Sequence, residues 1–191
     1  ADIVIDSIFL NEMEVPSLWL RSRWDFAQNR AGIIIQQHES LDTLAVGFYA
    51  PAKRRYYVRA MLEGVDLGAL DPILKGVIEN TEGEADARIT LQGEPGDHAM
   101  SGEIQVRNFA TTVDFTQVRY TMPEGTIEVR DNHLIAKDIP LYDPLNNKGL
   151  FSLDLNLEHL SNISYSVNVQ PQELLVLNTT NKDNDLFYGK I

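Results

Sequence analysis

The sequence predicts an all-β, mainly antiparallel fold with one short amphipathic helical region, and three observations carry that expectation. Residues 151–158 alternate apolar and polar side chains without a slip, and residues 163–169 repeat the pattern after a short break. Side chains on a strand point to opposite faces with a period of two, so each run has one apolar and one wet face. The breaks between such runs are short and polar along most of the chain, as in a meander of neighbouring strands.

From the N-terminus, residues 3–10, 18–27, 32–37, 44–49 and 56–62 read as strands. Pro51 and the basic run Lys53, Arg54 and Arg55 mark a turn before the last of these, because proline cannot donate to a ladder and charges prefer water. Residues 66–79 then change period. Leu67, Leu70, Leu74, Val77 and Ile78 follow helical spacing, Asp66 suits an N-cap, and Pro72 allows either one kinked helix or two short ones. From Gly83 the alternation returns, with Ala85, Ala87, Ile89 and Leu91 on one face, and residues 93–96 supply turn chemistry before a strand that begins around Ile104 and Val106. Strands are expected at 113–120, 125–130, 133–136, 151–158, 163–169 and 173–178, with Asp131 and Asn132 as a tight hairpin turn. The expected organisation is one β-rich domain over 1–191, made of N-terminal strands (1–62), a short helix (66–79) and the main meander (83–191). Strand-like sequence at both termini leads us to expect a piece of a longer protein.

At 191 residues the chain is long enough to bury roughly 70% of its unfolded surface without staples. The absence of cysteine removes disulfides, thiolate nucleophiles and thiolate metal sites together. Sixteen basic against 28 acidic residues give a formal charge of -12, which repels a phosphate backbone and argues against nucleic acid as a partner. No stretch approaches 18 consecutive apolar residues, and no basic segment, apolar run and cleavage site open the chain.

No catalytic, cofactor-binding or metal-binding residues are singled out, and the chain is not expected to be an enzyme. His38, His98, His133 and His159 are too scattered for a ligand pair, and the nucleophile elbow, phosphate loop and dinucleotide fingerprint are missing. Residues 181–185 place oxygen ligands at alternate positions, but Leu186 stands where a calcium loop needs glycine. Asp138 and Asp143 flank residues 140–142 without an opposing acid, so turn acidity is preferred to a glycosidase pair. Residues 162–164 and 178–180 match the glycosylation acceptor pattern, which often arises by chance.

The apolar ladders carry the functional question. In a β-sandwich that face is core, packed on a second sheet about 10 Å away, and periodicity alone favours this alternative. In a curled single sheet the same face lines a trough, in which Phe115, Ile127, Val129, Phe151, Leu153, Leu155, Leu157, Tyr165, Val167 and Val169 would contact an acyl chain.

The order of several motifs turns the balance. Residues 83–93, 100–106, 120–123 with 125–127, 139–143, 149–151, 159–162, 175–180 and 184–189 resemble successive segments of the C-terminal domain of TamB-like translocation and assembly proteins, in the AsmA-like group. Residues 56–58, 65–67 and 70–74 resemble the strand and short helix that precede that domain's main sheet. The resemblance implies a Gram-negative periplasmic protein whose inner-membrane anchor lies outside this fragment. It also implies a taco-like apolar groove that passes phospholipid toward the outer membrane, and a barrel partner of the Omp85 type in outer-membrane protein assembly or secretion. A wet outer face rich in Asp, Glu, Asn and Ser is consistent with such a sheet in water.

Overall fold

The computed structural model describes residues 2–5, 8–10, 13–15, 17–157, 164–180 and 189–190. Eleven strands form one antiparallel sheet in which ladder order follows chain order: β1 (Asp2–Ile5), β4 (Leu18–Asp25), β5 (Arg30–Gln37), β6 (Thr43–Ala50), β7 (Arg55–Asp66), β8 (Ile78–Glu94), β9 (Asp97–Val113), β10 (Val118–Arg130), β11 (His133–Tyr142), β12 (Lys148–Asn156) and β13 (Ser164–Pro171). Two small hairpin ladders stand apart from it, β2 (Ile8–Leu10) with β3 (Met13–Val15), and β14 (Asn178–Thr179) with β15 (Gly189–Lys190). The sheet curls without closing into a barrel. No helix among the described residues is long and apolar enough to cross a membrane.

The expected helical region exists only in small part. Leu67–Leu70 form a single 3₁₀ turn, with Asp66 as its cap accepting the Gly68 N–H at 2.8 Å. Turns continue to Val77, because Pro72 has no N–H to give and Gly76 takes a φ of +82°, which ends any helical run. Two expected strands are also corrected. Within 113–120, residues 114–117 make the tight turn joining β9 to β10, with Gln117 at a φ of +54°. Within 173–178, the chain leaves the sheet at residue 172 and becomes a strand again only at Asn178. Asp131 and Asn132 do form the expected hairpin turn, at φ values of +50° and +66°. The Asn132 side chain does more than turn the chain: it accepts from the Met100 N–H and donates to the His98 carbonyl, carrying the β10 ladder past its end onto β9.

Register explains the curl. Facing residues in a ladder point to the same side, so the pairs Val58–Leu91, Ala87–Ile104, Ile104–Ile127, Val129–Leu134, Leu134–Leu155 and Leu155–Tyr165 trace one face from β7 to β13. The same face continues through Ala45, Ile35, Leu20 and Ile3 to β1. Long strands would lose this alignment, but irregularities restore it at Gly64 (φ +63°), Asn80 (+54°), Asn108 (+50°) and Asp138 (+49°). A bulge bends its strand and tightens the local twist. These positions run as a diagonal seam across β7 to β11, so the sheet folds along a line that crosses its strands. Ala45, Ala85, Ala87, Val106, Met122, Val129, Ala136, Ile139 and Leu141 are all buried on the apolar side. One sheet can shield the middle of a face in this way only by bending toward it.

On the other side the seam is pinned by charge. The Arg107 guanidinium grips both oxygens of Asp86, whose Oδ1 also accepts the N–H of the bulged Gly64 at 2.9 Å. These bonds, the one from Arg107 first, hold the Asp86 carboxyl at about 2, below its ordinary 3.8. A depressed carboxylate stabilises the fold fully above its unfolded pKa and loses that contribution as pH falls through the folded value. The melting-temperature difference between wild type and Asp86→Asn is therefore expected to hold steady above pH 4 and to shrink toward pH 2. A difference that stays constant down to pH 2 would show that Asp86 does not pin the bulge.

Candidate functional site

The apolar face is the site that the fold builds. Ile127 on β10 faces Ile104, and Val129 faces Gly102 and Leu134. On β12, Phe151 lies between Ile139 and Val169, Leu153 between Ala136 and Val167, and Leu155 between Leu134 and Tyr165. Eight of the ten sequence-predicted residues thus share one surface: Ile127, Val129, Phe151, Leu153, Leu155, Tyr165, Val167 and Val169. Leu157 follows the end of β12, where its N–H donates to the Asn132 carbonyl at 2.8 Å. Phe115 is a correction: it sits in the β9–β10 turn, 69% exposed, because residues 114–117 reverse the chain there and do not extend a strand.

Because the sheet folds along a line crossing its strands, the trough runs from strand to strand. Ten intervals of about 4.8 Å make it about 48 Å long. Its floor is shielded, Val129 at 2% and Ala136 at 1% exposure, whereas Tyr165 on the last strand is 75% exposed and Ile3 on the first is 51%. Small residues along the floor, Ala45, Ala60, Ala85, Ala87 and Ala136, leave the depth to larger neighbours such as Phe109, Ile127, Phe151 and Leu153, which pack beside Met122, Ile139 and Leu141. Among the described residues, the two small ladders outside the large sheet have two strands each and are too few to cover eleven.

One margin of the trough is closed by a segment whose sequence reads as a further strand of the meander. Leu174 and Leu175 are buried, and Leu174 lies so close over Gly149 that a side chain there would collide with it. The Tyr120 hydroxyl donates to the Leu175 carbonyl at 2.9 Å, and the Leu175 N–H donates to Asp143 Oδ2 at 2.7 Å. The Asn178 N–H donates to the Thr116 carbonyl at 2.9 Å. Burial pushes the Asp143 carboxyl up, but the N–H groups of Leu175, Asn147 and Leu145 and the Asn147 amide together bring it below the ordinary value. Burial, then the Asp143 charge, raises the Tyr120 phenol, so the hydroxyl stays protonated and able to donate through neutral pH. Asp143 is thereby committed to holding backbone, and Asp138 lies on the opposite side of its bulge, its N–H bonded to Ser152 Oγ at 3.1 Å. They do not make a pair of acids.

The remaining candidates fall into place as ordinary structure. His133 bonds Asp154 through Nδ1 at 2.7 Å, and His38 lies against the Trp19 ring. Residues 181–185, His159 and the acceptor asparagine of residues 162–164 lie outside the described residues. What the ten candidates left out is the reach of the face: Ile33, Ile35, Val58, Leu62, Ile89 and Leu91 continue it through β5, β7 and β8. On β8 the two-residue alternation was plain, but β4 to β7 carry apolar residues on both faces, which hides it there. In comparisons with known proteins, no family model, curated protein or solved structure matches this chain.

Proposed function

We propose that this chain is the groove-forming part of a TamB-like envelope protein that accepts the acyl chains of phospholipids and helps carry them across the periplasm toward the outer membrane. The observation that supports this reading is the register: bulges keep apolar side chains on one side of eleven strands neighbouring in the ladder, although no second sheet of comparable size among the described residues needs that side for packing. Core formation alone does not call for a face that stays apolar out to both edge strands. Hydrocarbon gains about 0.8 kcal/mol per buried CH₂, so a dry continuous trough binds acyl chains without specific ligand chemistry. Low selectivity and easy sliding suit a conduit, and Asp143 and Tyr120 hold the margin segment that keeps water from one side.

The test is lipid content. Phospholipid extracted from purified protein should fall at least tenfold for Leu153→Asp, while Thr126→Asp, on the wet face of β10, should leave it unchanged. Val167→Asp, on the exposed last strand, gives a second variant that does not disturb the floor. Folded variants of both trough positions that retain full lipid would sink the reading.

A second reading rests on the edges. The ladder order ends at β1 and β13, and every residue of β13 is exposed, so its outer rim of N–H and C=O groups is open to a strand from another chain. In that reading the chain is a scaffold for outer-membrane protein assembly, pairing with an Omp85-type barrel. The two uses occupy different groups, backbone and side chain, and are compatible.

A further inference from the structure

The face opposite the trough is not uniformly acidic. Residues 18–62 hold seven Lys and Arg against three Asp and Glu, in a chain whose formal charge is -12. Three of these bases, Arg30, Lys53 and Arg55, line a cavity of about 870 Å³ together with Phe48, Tyr57 and His98, where the β4–β5, β6–β7 and β8–β9 connections meet. Register places Phe48, Tyr57 and Gln92 on the side away from Gly47, Val58 and Leu91, so this cavity is separate from the trough.

Four side chains stack in a row across three strands. The Arg30 guanidinium lies 4.7 Å from the centre of the Phe48 ring, Phe48 stacks on Tyr57 at 5.8 Å and 17°, and the Arg59 guanidinium lies 6.0 Å from the Tyr57 ring. The rings use their faces within the row and offer no platform to a flat ligand. A guanidinium that stacks by its face keeps its N–H edge, which suits an oxyanion. Among the described residues, Arg30 and Arg55 have only long ion pairs, 3.9 Å to Asp25 and 3.8 Å to Glu94, and Lys53 on the 3₁₀ turn Pro51–Lys53 makes none.

Two acids, Glu94 and Asp97, also line the cavity. They leave little net attraction for a singly charged ligand, whereas a phosphate brings more charge and several oxygens and can replace Glu94 as the partner of Arg55. The volume lies in the range of organic ligands, about 300 to 1,000 Å³, and is far more than a bare phosphate fills. We propose that Arg30, Lys53 and Arg55 form a binding site for the phosphate of an organic ester, with the rest of the ligand in the cavity beside them. The source of that phosphate is either a soluble ester or a lipid headgroup at a membrane surface.

The experiment uses the whole chain with three probes: glycerol 3-phosphate, glycerol, and phosphatidylcholine vesicles with or without phosphatidylglycerol. Calorimetric titration should detect glycerol 3-phosphate but not glycerol, and Arg30→Gln and Lys53→Glu should each weaken it at least tenfold. Lys53 is exposed on a surface turn, so its variant keeps the test clear of folding effects. Binding confined to vesicles with phosphatidylglycerol, and lost in both variants, also supports the site and names the headgroup as its source. Equal binding of glycerol, no binding to any probe, or wild-type binding by Lys53→Glu would overturn it. Leu153→Asp should leave this binding intact, so the site stands or falls separately from the trough.

Discussion

Gly102→Ala is expected to destabilise the protein by about 4 kcal/mol, a large part of the roughly 5 to 15 kcal/mol that holds an ordinary domain together. Gly102 sits in β9, where β8 and β9, of 17 residues each, form the middle of the sheet, and it faces Ile89 on one side and Val129 on the other. Its φ is +146°, a conformation that only glycine adopts readily, and an added Cβ would run into the Arg88 carbonyl. The variant must therefore both strain its own backbone and push β8 aside. Gly76→Ala provides the contrast: the φ of +82° is also unfavourable, but nothing lies within 4 Å, so about 1 kcal/mol is expected. Urea denaturation of the two variants measures the difference. Equal midpoints would mean that close strand approach at Gly102 contributes nothing.

Asp143→Ala is expected to cost about 3 kcal/mol and to release the Leu174–Leu175 crossing. The carboxylate accepts from the N–H groups of Leu145, Asn147 and Leu175 and from the Asn147 amide, and the residue is 5% exposed. Its loss leaves buried donors unpaired, and that penalty exceeds the value of any one bond. Tyr120→Phe removes only the bond to the Leu175 carbonyl and should cost about 1 kcal/mol. Hydrogen exchange reads the structural part of the prediction: the Leu175 amide should lose protection in Asp143→Ala while the amides of β8 and β9 keep theirs. Retained protection at Leu175 would show that packing on Gly149, and not the carboxylate, holds the segment.

Strand content was legible in the sequence because a period of two survives wherever one face is wet. Residues 151–156 announced β12 in this way, and Asp131 with Asn132 announced the turn before β11. The bulges were not legible, since Ala136 and Ile139 share a face while two residues separate them, and a slip of that kind reads as noise. Their cause lies in neighbouring strands, through bonds such as that from Gly64 to Asp86, 22 residues away. The segment 173–178 failed for a related reason. Its run of Leu174, Leu175, Val176 and Leu177 has the composition of a strand, but its backbone partners are Asp143 and Tyr120, 32 and 55 residues distant. Phe115 was misplaced because apolar character says nothing about whether Asp114 and Gln117 will turn the chain around it. The N-terminal half hid its part of the trough behind a second apolar face, the one that carries Phe48 and Tyr57.

Since every strand of the large sheet pairs only with those adjacent to it in ladder order, the architecture grows by simple repetition. Another hairpin appended at β13 would lengthen the channel by about 9.6 Å without altering any existing layer. Such a modular design lets the length of the trough be changed by duplication of short coding segments, much as solenoids gain turns.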